Sequence, residues 1–348
     1  MKKQNQYAVL FICLAICLPA IYCRSGKRGT PSDQAVVSRA EKNVGDSLLG
    51  GERGIDHVGI AVRDLKAAEQ TFHQTLGFGR PWAGQLPNGI KNINYYFPDA
   101  TYLETLTFYD RAKAPDLAQF IEKQDGAMFF VLSIFSATQT ALFLKQRGFS
   151  TLPPSPGRIA VEGKKQSSAE MWKTLFFFKS PLPGDPLFFI AYEPKSRQNL
   201  LQKLQDKYII KHYFSHPNTA QGIKAVWLAV KDLAAASRAY QAIGLPLGKQ
   251  LTNPLLGARG QEVLAGSGSI FLLQPTTTEG HMASFLARRG QGIIGLSIAV
   301  RNLFLAQNLI EARTKRHFAR AGCFFSPSIL IPPELTHGVW LEMFHHPQ

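Results

Sequence analysis

Gly54-Ile55-Asp56-His57-Val58-Gly59-Ile60-Ala61-Val62-Arg63-Asp64-Leu65-Lys66-Ala67-Ala68 decides the reading of this chain. It occurs a second time, as Gly222-Ile223-Lys224-Ala225-Val226-Trp227-Leu228-Ala229-Val230-Lys231-Asp232-Leu233-Ala234-Ala235-Ala236. In the first copy Val58, Ile60 and Val62 take one face of a strand, and His57, Gly59 and Ala61 take the other. Asp64 is placed to cap a helix whose apolar stripe is Leu65, Ala68, Phe72 and Leu76. That stripe covers the Val58/Ile60 face. The His57 face is left without a helix and carries small or polar side chains, the pattern of a sheet that encloses a hollow.

Two fainter copies start at residues 129–134 and 294–300, each preceded by an apolar helical stretch (117–123 and 282–288). Further strands follow within the units, such as 92–97 and 102–108. The chain therefore reads as four strand–helix–strand–strand–strand units, and repeats of this size must stack to bury a face. A length of 348 residues fits two compact bodies, and 45% hydrophobic with 11% aromatic residues sustains a core. Wholesale disorder is excluded. A single long apolar run excludes a multi-span membrane protein.

The balance of 39 Lys+Arg against 24 Asp+Glu gives a net charge of +15. The charge is spread along the chain, with no basic stripe interleaved with aromatics and no zinc-finger spacing, so no nucleic-acid partner is expected. Solubility and attraction to anionic surfaces or ligands account for it. Lys2 and Lys3 precede an apolar stretch at residues 7–22, the layout of a secretory signal, and residues 24–53 read as a flexible linker. Residues 1–23 are thus expected to be a signal peptide or membrane anchor, and the protein periplasmic or extracellular. Cys23 suggests a lipid anchor, against which Tyr22 stands where a small residue belongs. Cys13 and Cys17 fall inside the signal, leaving Cys23 and Cys323, too few for a disulfide framework.

The opening Asp56-His57-Val58-Gly59-Ile60-Ala61-Val62-Arg63-Asp64-Leu65, the continuation Tyr102-Leu103-Glu104-Thr105-Leu106 and the stretch Phe214-Ser215-His216-Pro217-Asn218 resemble the vicinal oxygen chelate superfamily. Within it, they resemble the glyoxalase-like domains. The resemblance covers residues 54–346 and is strongest over 54–110 and 214–245. It implies an α+β fold of four βαβββ modules forming two curled mixed-sheet, barrel-like halves, at 54–195 (modules 1 and 2) and 220–346 (modules 3 and 4). Residues 196–219 would connect them. The superfamily holds a divalent metal between ligands from the first and last strands of its units and chelates two substrate oxygens. Its members include glyoxalases, epimerases and extradiol dioxygenases.

By this resemblance His57 matches the first-strand ligand, Glu104 the last-strand ligand, and Glu342 the last-strand ligand of the fourth unit. Strand parity agrees for His57 and Glu104. The matching positions elsewhere read as Phe129 and Phe189, Ala225 and Leu272, and Gly295, none of them a ligand. Pairing of neighbouring units is expected, which leaves the first half with two ligands; pairing unit 1 with unit 4 would gather His57, Glu104 and Glu342. Imidazole plus carboxylate suits Zn, Fe, Mn or Ni.

Glu104 is the candidate proton carrier. Asn92 and Asn94 are placed to orient a polar ligand, and Trp82 and Tyr102 to line the hollow. His216-Pro217-Asn218 reads as a turn locking the halves together. Gly290-Gln291-Gly292-Ile293-Ile294-Gly295 spells a dinucleotide fingerprint, but with the helix before it and the strand after it, the reverse of what a pyrophosphate site needs. Two functions stand: an exported metal-dependent lyase/isomerase or dioxygenase-type enzyme on a small oxygen-rich substrate, or a metal-free protein that binds or sequesters a small molecule. Membrane contact would run only through the N-terminus, and no oligomer is required.

Overall fold

A computed structural model describes residues 47–50, 53–158, 170–194 and 206–346. The signal-like segment, most of the 24–53 linker and part of the 196–219 connector lie outside the described residues. The first eight strands are β1 (Ile55–Ala61), β2 (Trp82–Gln85), β3 (Ile90–Tyr96), β4 (Tyr102–Phe108), β5 (Gly126–Ser133), β6 (Ser155–Gly157), β7 (Trp172–Leu175) and β8 (Leu187–Tyr192). They form one sheet in the order β2-β3-β4-β1-β5-β8-β7-β6. The remaining strands are β9 (Ala220–Ala229), β10 (Leu247–Asn253), β11 (Ala258–Ala265), β12 (Gly268–Pro275), β13 (Gly292–Val300), β14 (Ser328–Ile331) and β15 (Trp340–His345). Their order is β10-β11-β12-β9-β13-β15-β14.

Neighbouring units thus share a sheet. β1 meets β5 antiparallel and β9 meets β13 antiparallel, while each first strand runs parallel to the last strand of its own unit. Units 1 and 4 do not share a sheet.

Each unit caps its helix the same way. Asp64, Ser136, Asp232 and Asn302 accept backbone N–H bonds from the first turns of the helices Leu65–Glu69, Ala137–Gln146, Leu233–Ala242 and Leu303–Thr314. The helix-facing strand residues of both sheets, among them Val58, Ile60, Leu132, Val226, Leu228, Leu296 and Ile298, belong to one continuous buried cluster. The halves therefore share a core on the helix side. Close approach is secured by two glycines. Gly77 (φ +77°) backs onto Leu309 and Gly244 (φ +101°) onto Phe143, and a β carbon at either would collide as well as strain the backbone.

The connector also locks the first half. His216 Nδ1 accepts from Gly79 N at 2.7 Å, its Nε2 lies 2.9 Å from Tyr96 O, and Asn218 Nδ2 donates to Leu76 O.

A second regularity matters for the site. The β1–β5 register slips between Ile55 and His57, and the β9–β13 register slips at the equivalent place, between Ile223 and Ala225. The residue left out of the ladder is Asp56 in one half and Lys224 in the other. Such a bulge re-aims a side chain against simple alternation.

Candidate functional site

His57 lies on β1 opposite Tyr102 of β4, and Gly59 lies opposite Glu104. His57, Tyr102 and Glu104 consequently project from the same face of adjacent parallel strands. His57 Nε2 stands 3.6 Å from Glu104 Oε2, with His57 4% and Glu104 6% exposed. The remaining polar atom of each group is tied. His57 Nδ1 lies 2.6 Å from Asp56 Oδ1, and Asn92 Nδ2 donates to Glu104 Oε1 at 2.5 Å.

With its hydrogen on Nδ1 toward the Asp56 carboxylate, the ring turns an Nε2 lone pair toward a carboxylate oxygen. Two acceptors facing each other in a nearly closed site are unfavourable unless a cation or a proton lies between them. The gap suits one ion at about 2.1 Å from each. A carboxylate on the far nitrogen is also the usual partner of a metal-binding histidine. These residues fit a divalent metal as two of its ligands.

The walls are aromatic. Tyr102 stacks on the His57 ring at 4.3 Å and 17°, while Phe129 and Phe188 meet it edge-on at 6.0 and 6.3 Å. Phe129 lies there because Gly59 has no side chain; a β carbon on Gly59 would stand 2.3 Å from the ring. Phe176 stacks on the outer side of Phe188 at 4.7 Å. Burial pushes the hydroxyls of Tyr96, Tyr102 and Tyr192 well above the usual tyrosine range, and the nearby carboxylates push the same way, so all three are neutral groups able to donate.

Of the residues singled out from the sequence, His57, Glu104, Asn92 and Tyr102 come together. Asn94 donates to Tyr96 OH at 3.4 Å, and its own carbonyl oxygen, like that of Asn92, is buried without a partner. Trp82 packs on Tyr213 and Tyr96, and the rings of Tyr96 and Tyr102 stand between it and His57. Glu342 belongs to the other sheet and does not join them. Its Oε1 accepts from the amides of Cys323, Phe324 and Phe325 and from Ser328 Oγ, and its Oε2 from Ser297 Oγ. Among the described residues no three His, Cys, Asp or Glu side chains form a ligand cluster.

The registers also correct two equivalences. The position matching Glu104 is Phe188 in unit 2, opposite Val131, and Phe271 in unit 3, opposite Trp227; the sequence reading gave Phe189 and Leu272. A slip of one residue reverses the face, and Phe189 and Leu272 lie in the core shared with the helices.

Sequence reasoning missed Asp56 and Tyr192. Alternation puts Asp56 on the helix side, and only the bulge at Ile55/His57 brings its carboxylate beside the imidazole. Tyr192 comes from the end of β8, and its hydroxyl donates to Asp56 Oδ1 at 3.0 Å.

Comparisons with known proteins bear on the family and the fold. The chain is similar to a mutant form of 4-hydroxymandelate synthase from Streptomyces coelicolor at 13% identity over 84% of this chain and 92% of that one, with a TM-score of 0.55. It is similar to a hypothetical protein from Staphylococcus aureus at 11% identity, over 84% and 98% of the two chains, with a TM-score of 0.54. Methylmalonyl-CoA epimerase from Mycobacterium tuberculosis matches at 25% identity over 37% of this chain and 91% of that one, with a TM-score of 0.34. No curated protein matches the chain. The glyoxalase-like domain family matches residues 55–244, more than half of the sequence. With that match, the two sheets of paired units and the likeness in fold, the chain belongs to the glyoxalase-like domain family and has the vicinal oxygen chelate fold.

Proposed function

We propose that the first half is a metal-dependent site of the lyase/isomerase or dioxygenase type, acting on a small molecule that presents two neighbouring oxygens. The observation that carries this reading is the 3.6 Å separation of His57 Nε2 and Glu104 Oε2, each aimed at the other while its second polar atom is tied elsewhere. His57 and Glu104 would hold the ion (Zn, Fe, Mn or Ni). A divalent ion there supplies Lewis-acid polarisation of substrate oxygens. Phe129 and Phe188 exclude water from the opposite wall. Asn92 fixes Oε1 of Glu104 and aims Oε2 into the gap, and Glu104 is the group placed to take up and return a proton. The layout of Lys2, Lys3 and the apolar residues 7–22 supports export of the protein.

Metal content of the purified chain, followed by titration with Zn²⁺ or Mn²⁺, tests the proposal. One equivalent, lost in His57→Ala and in Glu104→Ala, is expected. A chain that takes up no metal at millimolar supply, or binds it equally well in both variants, would sink it.

A second reading has its own observation. Phe129 and Phe188 occupy the positions that carry ligands in unit 1, which favours a metal-free protein that binds a small molecule between His57 and the aromatic wall. Ligand binding retained after chelation would separate it from the first.

A further inference from the structure

We infer that Asp56 and Tyr192 are a positioning pair through which the second unit fixes the tautomer of His57. The inference deepens the proposed site and rests on His57 being its working imidazole. Three observations meet here. The bulge at Ile55/His57 exists in both halves, yet only in the first does it turn a carboxylate onto a neighbouring ring. Asp56 is 7% exposed, and a carboxylate so buried needs donors. Its Oδ1 has two, His57 Nδ1 at 2.6 Å and Tyr192 OH at 3.0 Å.

Tyr192 stands on β8, separated from β1 by β5 in the sheet. Its neutral hydroxyl can only donate to the carboxylate, which gives Asp56 one fixed orientation and the imidazole one acceptor. The hydrogen of His57 then stays on Nδ1, and Nε2 is held as a lone pair toward Glu104 Oε2, 3.6 Å away. The second unit carries phenylalanines where unit 1 carries ligands, and it serves the site instead by holding the far side of unit 1's histidine. The residues act on the reacting centre only through His57.

The test is nitrogen NMR of the full chain labelled at histidine, without added metal, the His57 signals being identified by their loss in His57→Gln among the nine histidines. The expected result is an Nδ1–H tautomer in the wild type. Tyr192→Phe should shift the ratio toward Nε2–H, and Asp56→Ala should shift it further, both with an unchanged circular dichroism spectrum. Affinity for Mn²⁺ should fall about 10–100-fold in Asp56→Ala and less in Tyr192→Phe. An Nε2–H tautomer in the wild type, or the same tautomer ratio in all three proteins, would overturn the inference. If Asp56→Ala does not fold, Tyr192→Phe, which removes a single hydroxyl, decides by the same criterion. The wild-type tautomer together with absent metal affinity would reject the metal site and uphold the pair.

Discussion

Glu104 and Glu342 hold the same place in their sheets: Glu104 opposite Gly59 on the first strand of unit 1, Glu342 opposite Ser297 on the first strand of unit 4. Their surroundings differ in kind. Glu342 is fully buried and takes bonds from three successive amides and two hydroxyls, so it has become the anchor of the segment from Cys323 to Ser328. Phe324 of that segment wedges between Trp227 and Phe271, with ring centroids 4.7 and 4.8 Å away, and Trp227 Nε1 donates to Ser297 Oγ. The concave face of the second half is filled by its own chain. Among the described residues Glu104 has one donor, Asn92, and it faces an imidazole lone pair. A carboxylate with every lone pair satisfied contributes to folding, whereas one left short of partners is available for chemistry.

The contrast can be broken most directly through stability. Glu342→Ala strands five donors and should cost about 3–4 kcal/mol in urea unfolding, whereas Glu104→Gln should change stability by less than about 1 kcal/mol. Equal costs would erase the distinction between anchor and site. Next in size is binding. His57→Ala should weaken Mn²⁺ or Zn²⁺ by at least about 100-fold, roughly 2.7 kcal/mol, while Ser297→Ala leaves it unchanged by calorimetry. An effect of Ser297→Ala as large as that of His57→Ala would mean that the halves share one site.

A third contrast lies at the joint. Burial pushes the His216 imidazole down to about 4, against the raising effect of its bond to Tyr96 O. Between the ordinary histidine value and about 4, the unfolded chain binds a proton that the folded chain refuses, so stability falls as the pH drops through that window. The His216 contribution to the loss should be about 3 kcal/mol from pH 7 to pH 4, and that part should disappear in His216→Gln, as read by unfolding midpoints at the two pH values. The smallest expected effect is at the bulge of the second half. Lys224 Nζ pairs with Asp99 Oδ2 at 2.7 Å, both partly exposed, and Lys224→Ala should cost at most about 1 kcal/mol and diminish with added salt.

Much of this was legible in the residues. The duplicated opening, its Asp64 and Asp232 caps and the alternation of Val58 with His57 carry the strand–helix unit, and their physics is local. His57 and Glu104 were within reach because each lies on a strand whose parity is undisturbed from that residue onward. Asp56 was not, since a bulge leaves no mark in composition and reverses parity for a single residue. Phe188 and Phe271 were displaced by one position because β8 and β12 carry apolar residues on both faces there, so alternation within the strand does not tell which residues face the site. The fate of Glu342 depends on amides from residues 323–325, and backbone donors have no sequence signature.

The extra residue in β1 and in β9 has a wider consequence. Released from the ladder, it can change identity without disturbing the strands on either side, and the two sheets differ there completely: an acid beside an imidazole in one, a base clasping Asp99 of the opposite half in the other. A sheet order used twice thereby keeps one adjustable socket in an otherwise fixed frame, where different chemistry or a joint can be fitted without altering the architecture.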